Sequence, residues 1–221
     1  MKILVVLLGL VTAVTISFAQ QVPLRIAVVV DRSASVLSHM NQLPSAENLL
    51  PLLQRVDESG GELTLITVGV NGKRNEIRYT SASCGIKPEK ARGQTANDYR
   101  EELRAYLLCV KAAGTRSPND FVNRQDVKEV FDFSSLEGSS DVAGAIETAY
   151  IFLQEQGEPG TRQILLAMTD GQNNVDTYDL PPRIPGDLII VNRSANVGVL
   201  QAYQHSLFAN FEAAIRFICN G

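Results

Sequence analysis

Leu24-Arg25-Ile26-Ala27-Val28-Val29-Val30-Asp31-Arg32-Ser33-Ala34-Ser35 is the stretch on which the fold turns. Its first seven residues are apolar except Arg25 and rich in β-branched side chains. A strand with one wet face alternates polar and apolar residues; a continuous apolar run belongs to a strand covered on both faces. Such strands occur in parallel sheets sandwiched between helices. The run then stops at a carboxylate, followed by two hydroxyls one residue apart.

The rest of the chain repeats the first half of that pattern. Leu63 to Val70, Ile164 to Met168 and Leu188 to Val191 read as further buried strands. Helical stretches lie between them. Val142, Ile146, Tyr150 and Leu153 fall three or four apart, with Gly157 as the stop. A helix lies within Ser45 to Val56, with Pro51 at its start or at a kink. Leu200, Tyr203, Leu207, Phe211, Ile215 and Ile218 form an apolar stripe expected of one C-terminal helix. Alternating buried strands and amphipathic helices predict an α/β fold, a doubly wound, mainly parallel sheet of about six strands with helices on both faces. One strand breaks the parallel order. Asn71-Gly72 between Val70 and Ile77-Arg78-Tyr79-Thr80 is a hairpin signal, so a short antiparallel strand follows the second. Ser81 to Asp132 is a polar excursion in which Tyr99 to Val110 reads as helix, with Leu103, Tyr106, Leu107 and Val110 on one side. No repeat or Gly/Ser/Pro linker divides the chain, so residues 20–221 are expected to form one domain.

Ligands of parallel α/β sheets bind beyond the carboxyl ends of the strands. Three such exits carry short oxygen-bearing side chains. The first strand runs into Asp31-x-Ser33-x-Ser35, Gly138-Ser139-Ser140-Asp141 opens the helix at Val142, and Met168 runs into Thr169-Asp170-Gly171. Asp31, Ser33, Ser35, Ser140 and Asp170 together offer carboxylates and hydroxyls only, a donor set for a hard divalent cation such as Mg²⁺, or else Mn²⁺ or Ca²⁺. So few charges cannot cage an ion, and its shell must be completed by water or by an oxygen from outside. Each loop also admits a plainer reading. Ser33 and Ser35 suit a cap for a helix near Val36, Ser139 to Asp141 suit a cap for the next helix, and Asp170-Gly171 suits an ordinary turn.

With Asp31-x-Ser33-x-Ser35 after a buried first strand, the chain from Leu24 to its end resembles a von Willebrand factor A-type domain with a metal-ion-dependent adhesion site. The resemblance implies a six-stranded sheet whose only antiparallel strand is a short one after the second. It implies that Ser33, Ser35 and Ser140 offer hydroxyls to a cation, with Asp31 and Asp170 acting directly or through water. It also implies that the open position takes an Asp or Glu carboxylate of a protein partner, and that the module is not an enzyme. Ser140 stands where the family has Thr, and Ala34 where Gly is common; neither change removes an oxygen. A metal-dependent hydrolase, or a scaffold whose metal site has degenerated, are the alternative readings. The first would need a second metal or a general base.

The remaining features set the compartment and exclude other classes. Residues 1–19 combine Lys2, an apolar Ile3 to Ile16 and a small-residue Ser17-Phe18-Ala19 end, the layout of a secretory signal cleaved before Gln20. A retained anchor or a buried helix is the alternative, but the apolar run falls short of the roughly 20 residues of a span. The expected location is secreted or periplasmic, with no stable membrane anchor once the signal is removed. In that oxidising setting Cys84 and Cys109 are the favoured disulfide and Cys219 is left over, although three pairings are open to three cysteines. A formal charge of −4 and a pI near 5.3 give no basic footprint for nucleic acid. His39 and His205 stand alone, and no nucleophile elbow, P-loop or dinucleotide fingerprint occurs.

Overall fold

In the computed structural model, residues 22–38, 42–68, 76–81, 90–91, 93–112, 117–134, 141–155, 160–172 and 180–221 are described. Residues 1–21, Asn71-Gly72, Cys84, Gly157, His39 and Ser140 lie outside them, and so does the side chain of Cys109. The Cys84–Cys109 pairing therefore lies outside the described residues; Cys219 is a free, half-buried thiol.

Six strands form one sheet: β1 (Leu24–Val30), β2 (Glu62–Thr67), β3 (Glu76–Thr80), β4 (Arg162–Met168), β5 (Asp187–Val191) and β6 (Ser206–Phe208), in the order β3-β2-β1-β4-β5-β6. Every pairing is parallel except β2 with β3, where Leu63 faces Tyr79 and Ile66 faces Glu76. The strand class, the mainly parallel sheet and the single antiparallel strand after the second all agree with the sequence reading.

All seven residues of β1 are buried, and they divide by period two between two cores. Ile26, Val28 and Val30 join Leu63, Leu65, Ile164, Leu166 and Met168 beneath the helices α2 (Leu50–Ser59), α4 (Pro118–Asn123), α5 (Gln125–Val130) and α7 (Phe211–Asn220). Ala27 and Val29 join Ile66, Leu165, Ala167 and Ile190 beneath α6 (Val142–Gln154). Pro51 stands in the first turn of α2, where its missing N–H has no helical acceptor to lose, and Gly60 ends that helix in the left-handed region at φ 75°.

Arg25, the charged exception in β1, is only 6% exposed, and its neighbours explain why it is tolerated. Its guanidinium bonds Glu62 Oε2 at 3.0 Å, donates to the Glu155 carbonyl, and lies 4.7 Å from the centre of the Phe152 ring. A buried charge persists when it is paired and hydrogen-bonded in this way.

Two parts of the chain differ from the sequence reading. The polar stretch 81–132 does not stay polar. α3 (Ala96–Ala112) exposes or half-buries every side chain described in it, but α4 and α5 bury Phe121, Val122, Val127 and Val130 in the core under α2. A capping box, in which Ser117 and Asp120 exchange hydrogen bonds ahead of Pro118, starts α4. The expected single C-terminal helix is three elements: a 3₁₀ turn at Gly198–Ala202, then β6, then α7. Leu200 packs into the α6 core while Phe211, Ile215 and Ile218 pack into the opposite one. No straight helix can bury one stripe on both sides of a sheet, so the chain must pass its edge, and β6 is that passage.

Among the described residues, no helix is long and apolar enough to cross a membrane.

Candidate metal centre

The strand order reverses between β1 and β4. From β1 the chain builds outward through β2 and β3, then returns to the other side of β1 for β4, β5 and β6. The crevice outside the carboxyl ends of the two strands at such a switch point is where ligands bind in open α/β sheets. Asp31 leaves β1 and Asp170 leaves β4 at that crevice, tied together by the Asp31 N–H donating to the Met168 carbonyl at 2.9 Å.

Asp31 is 1% exposed. Its Oδ1 accepts the Ser33 backbone N–H at 2.9 Å, and its Oδ2 accepts the Thr169 hydroxyl at 2.8 Å. Burial pushes its carboxyl up from the ordinary range and the Asp170 charge adds to that, while the bonds from Ser33 and Thr169 pull it back. The two carboxylates are thus close enough to repel one another. On the loop after β1, Ser33 is buried, Ser35 is half-buried, and their hydroxyl oxygens lie 3.0 Å apart. That pair shares a hydrogen bond where the loop enters the short helix α1 (Ala34–Ser38).

Asp170 is also buried. Its Oδ1 accepts the Gln172 N–H at 3.0 Å, but Oδ2 has no hydrogen-bond partner among the described residues. A polar oxygen withdrawn from water without a hydrogen bond is costly, and such a group in a native fold calls for a partner such as an ion or water. The turn that carries it is rigid. Gly171 has φ 72° and Gly198 φ 53°, and a Cβ on either would fall 1.8 Å or 2.0 Å from a backbone oxygen of the other loop. The Val199 N–H donates to the Gly171 carbonyl at 2.9 Å across the same contact.

Ser140 lies outside the described residues, but its neighbour Asp141 does not. Asp141 is 2% exposed and caps α6, its Oδ1 accepting the Gly144 N–H at 3.0 Å. The last turn of α6 meets Arg25 near the amino end of β1. A helix of 13 residues spans about 20 Å, so its Asp141 end stands at the carboxyl end of the sheet, with the other two loops.

The sequence reading chose Asp31, Ser33, Ser35 and Asp170, and the fold brings these four to the crevice between adjacent strands. It assigned no role to Thr169, which the structure places wholly inside, bonded to Asp31. A threonine closing an apolar strand reads as ordinary strand filler, and nothing local announces a partner 138 residues away. Among the described residues no group of three or more His, Cys, Asp or Glu gathers. Any cation here would be held largely by hydroxyls, in keeping with a hard ion that retains water. His205 is elsewhere, its Nδ1 at 2.7 Å from the Tyr203 carbonyl. It lines, with Arg183, Asp187, Tyr203 and Phe217, a groove of about 530 Å³ at the amino ends of β5 and β6, away from the crevice.

No protein-family model matches the chain, and no curated protein matches it in sequence. Solved structures do. The pilus adhesin SpaC of Lactobacillus rhamnosus GG, in its open conformation, is similar at 10% identity and a TM-score of 0.46 over 90% of this chain, which spans 29% of the adhesin. The conserved hypothetical protein BatB of Bacteroides thetaiotaomicron is similar at 13% identity and a TM-score of 0.41, over 89% of this chain and 96% of that one. The manganese-loaded TRAP protein of Plasmodium vivax is similar at 14% identity and a TM-score of 0.36, over 89% of this chain and 72% of that one. At these identities the likeness is one of fold.

Proposed function

We propose that this protein is an extracytoplasmic recognition module that grips an acidic residue of a protein partner through a divalent cation and catalyses no reaction. The observation that supports this most is the Asp170 Oδ2 atom, buried at the switch-point crevice beside Asp31 and without a hydrogen-bond partner among the described residues. Asp31, Ser33, Ser35 and Asp170, with Ser140 from the loop before α6, are the residues that would hold the ion. Bound there, Mg²⁺ or a similar cation supplies positive charge and an open coordination position for a carboxylate oxygen. The chain's own residues do the rest: Ser33 and Ser35 present hydroxyls, and the Gly171–Gly198 contact holds the Asp170 turn still. A hydrolase would need, besides this ion, a second metal or a general base beside it.

The test is capture from native extracellular material on immobilised protein in Mg²⁺. One specific partner should bind, elute with EDTA, and fail to bind the Ser33→Ala and Asp170→Ala proteins. Capture that survives EDTA, or that both variants retain, contradicts the proposal, as does turnover of phosphate esters by the wild-type protein.

A further inference from the structure

We infer that Thr169 is a positioning residue of the cation site, its single hydroxyl aiming the Asp31 carboxylate and setting the Asp170 turn at the same time. The inference rests on the cation-binding reading above. Thr169 is 0% exposed, so water cannot stand in for its hydrogen bonds. A hydroxyl has one proton to donate and lone pairs with which to accept. Here the proton goes to Asp31 Oδ2 at 2.8 Å, and the oxygen accepts the Gly171 N–H at 2.9 Å.

Each bond acts on a different carboxylate. Asp31 is gripped at both oxygens, by Ser33 from its own loop and by Thr169 from the exit of β4. Without Thr169 the carboxylate loses its anchor at Oδ2 and keeps the Ser33 bond at Oδ1. Asp170 lies between Thr169 and Gly171, so the bond that closes over it fixes the turn from which Oδ2 projects. One atom therefore sets the spacing of two carboxylates that the chain carries on separate loops. Valine in its place keeps the shape and loses both bonds. Serine keeps both bonds and loses only the β-methyl that restricts χ1.

The probe is Mg²⁺ alone, titrated calorimetrically into the intact protein after removal of metal. Thr169→Val should bind about 10–100-fold more weakly than wild type, the usual consequence of deleting a partner behind a metal ligand. Thr169→Ser should stay within about threefold, since the hydroxyl remains. Melting in EDTA separates positioning from mere packing. A residue that only packs lowers the metal-free melting temperature and leaves the affinity alone, so an unchanged Mg²⁺ affinity in folded Thr169→Val overturns the inference. If that variant does not fold, Thr169→Ala is compared with Thr169→Ser: a gap of about tenfold upholds it and equal affinities overturn it. Wild-type protein that takes up no Mg²⁺ overturns the cation-site reading itself, a result distinct from any difference among the variants.

Discussion

Asp31 is a carboxylate sealed into the end of a strand beside a second carboxylate, and its titration follows from that placement. Burial, with a small push from Asp170, raises its pKa above the ordinary 3.8 against the pull of the Ser33 and Thr169 bonds. A carboxyl whose pKa is raised by folding holds its proton more tightly in the native state. Its contribution to stability is complete below the unfolded value and is lost as pH rises through the folded one. Metal-free protein should therefore lose stability on this account as pH climbs upward from 3.8. Asp31→Asn removes the titrating group at the expense of one accepting oxygen, so the metal-free melting temperature of the variant relative to wild type should rise by about 2–4 °C between pH 3 and pH 7, the shift expected of roughly 1 kcal/mol in a domain this size. Calorimetry in EDTA checks it: a difference between the two proteins that does not move with pH rules this reading of Asp31 out. At this scale the placement of Asp31 and Asp170 at adjacent strand ends was legible, because each closes a buried run and the strand end locates it. Thr169 was not, since hydrogen bonds between distant loops leave no periodic trace.

The elements carry their own tests, and the C-terminal region is the sharpest. Leu200 to Ile218 shows apolar residues at helical spacing, yet the chain makes a 3₁₀ turn, an edge strand and a helix of ten residues. Periodicity reports that residues are buried without saying on which side of the sheet, which is why the pattern misled. The signal that does mark the break is Asn210. Its extended backbone and its Oδ1, which accepts the Ala213 N–H at 2.8 Å, start α7 afresh after β6. Asn210→Ala should cost about 1 kcal/mol through loss of that cap, measured as a lower midpoint in urea. A midpoint unchanged from wild type would mean that the packing of Phe211 and Ile215 alone sets the start of α7. β3 shows the opposite case. Its position followed from the Asn71-Gly72 signal, and its antiparallel register bears that expectation out. α4 and α5 fell between these cases, since helices of six residues are too short to display a period.

For the whole molecule, what matters is where the strand order turns. The uninterrupted apolar runs of β1 and β4 meant strands buried on both faces, and helices between them meant parallel pairing, so the doubly wound class could be read from residues alone. Three-residue β6 could not, because so short a segment has no alternation to recognise. The sheet reverses between β1 and β4, and the loops bearing Asp31 and Asp170 meet there. The Asp170 charge adds to what raises the Asp31 pKa, and a cation between the two carboxylates would offset that repulsion. Any ligand that binds only the native state stabilises it by mass action. The most direct test of the account is therefore the melting temperature of wild type, Ser33→Ala and Asp170→Ala, each in EDTA and in millimolar Mg²⁺. The account predicts that Mg²⁺ raises the midpoint of wild type and of neither variant; a wild type indifferent to Mg²⁺, or variants that gain as much as it does, would contradict it.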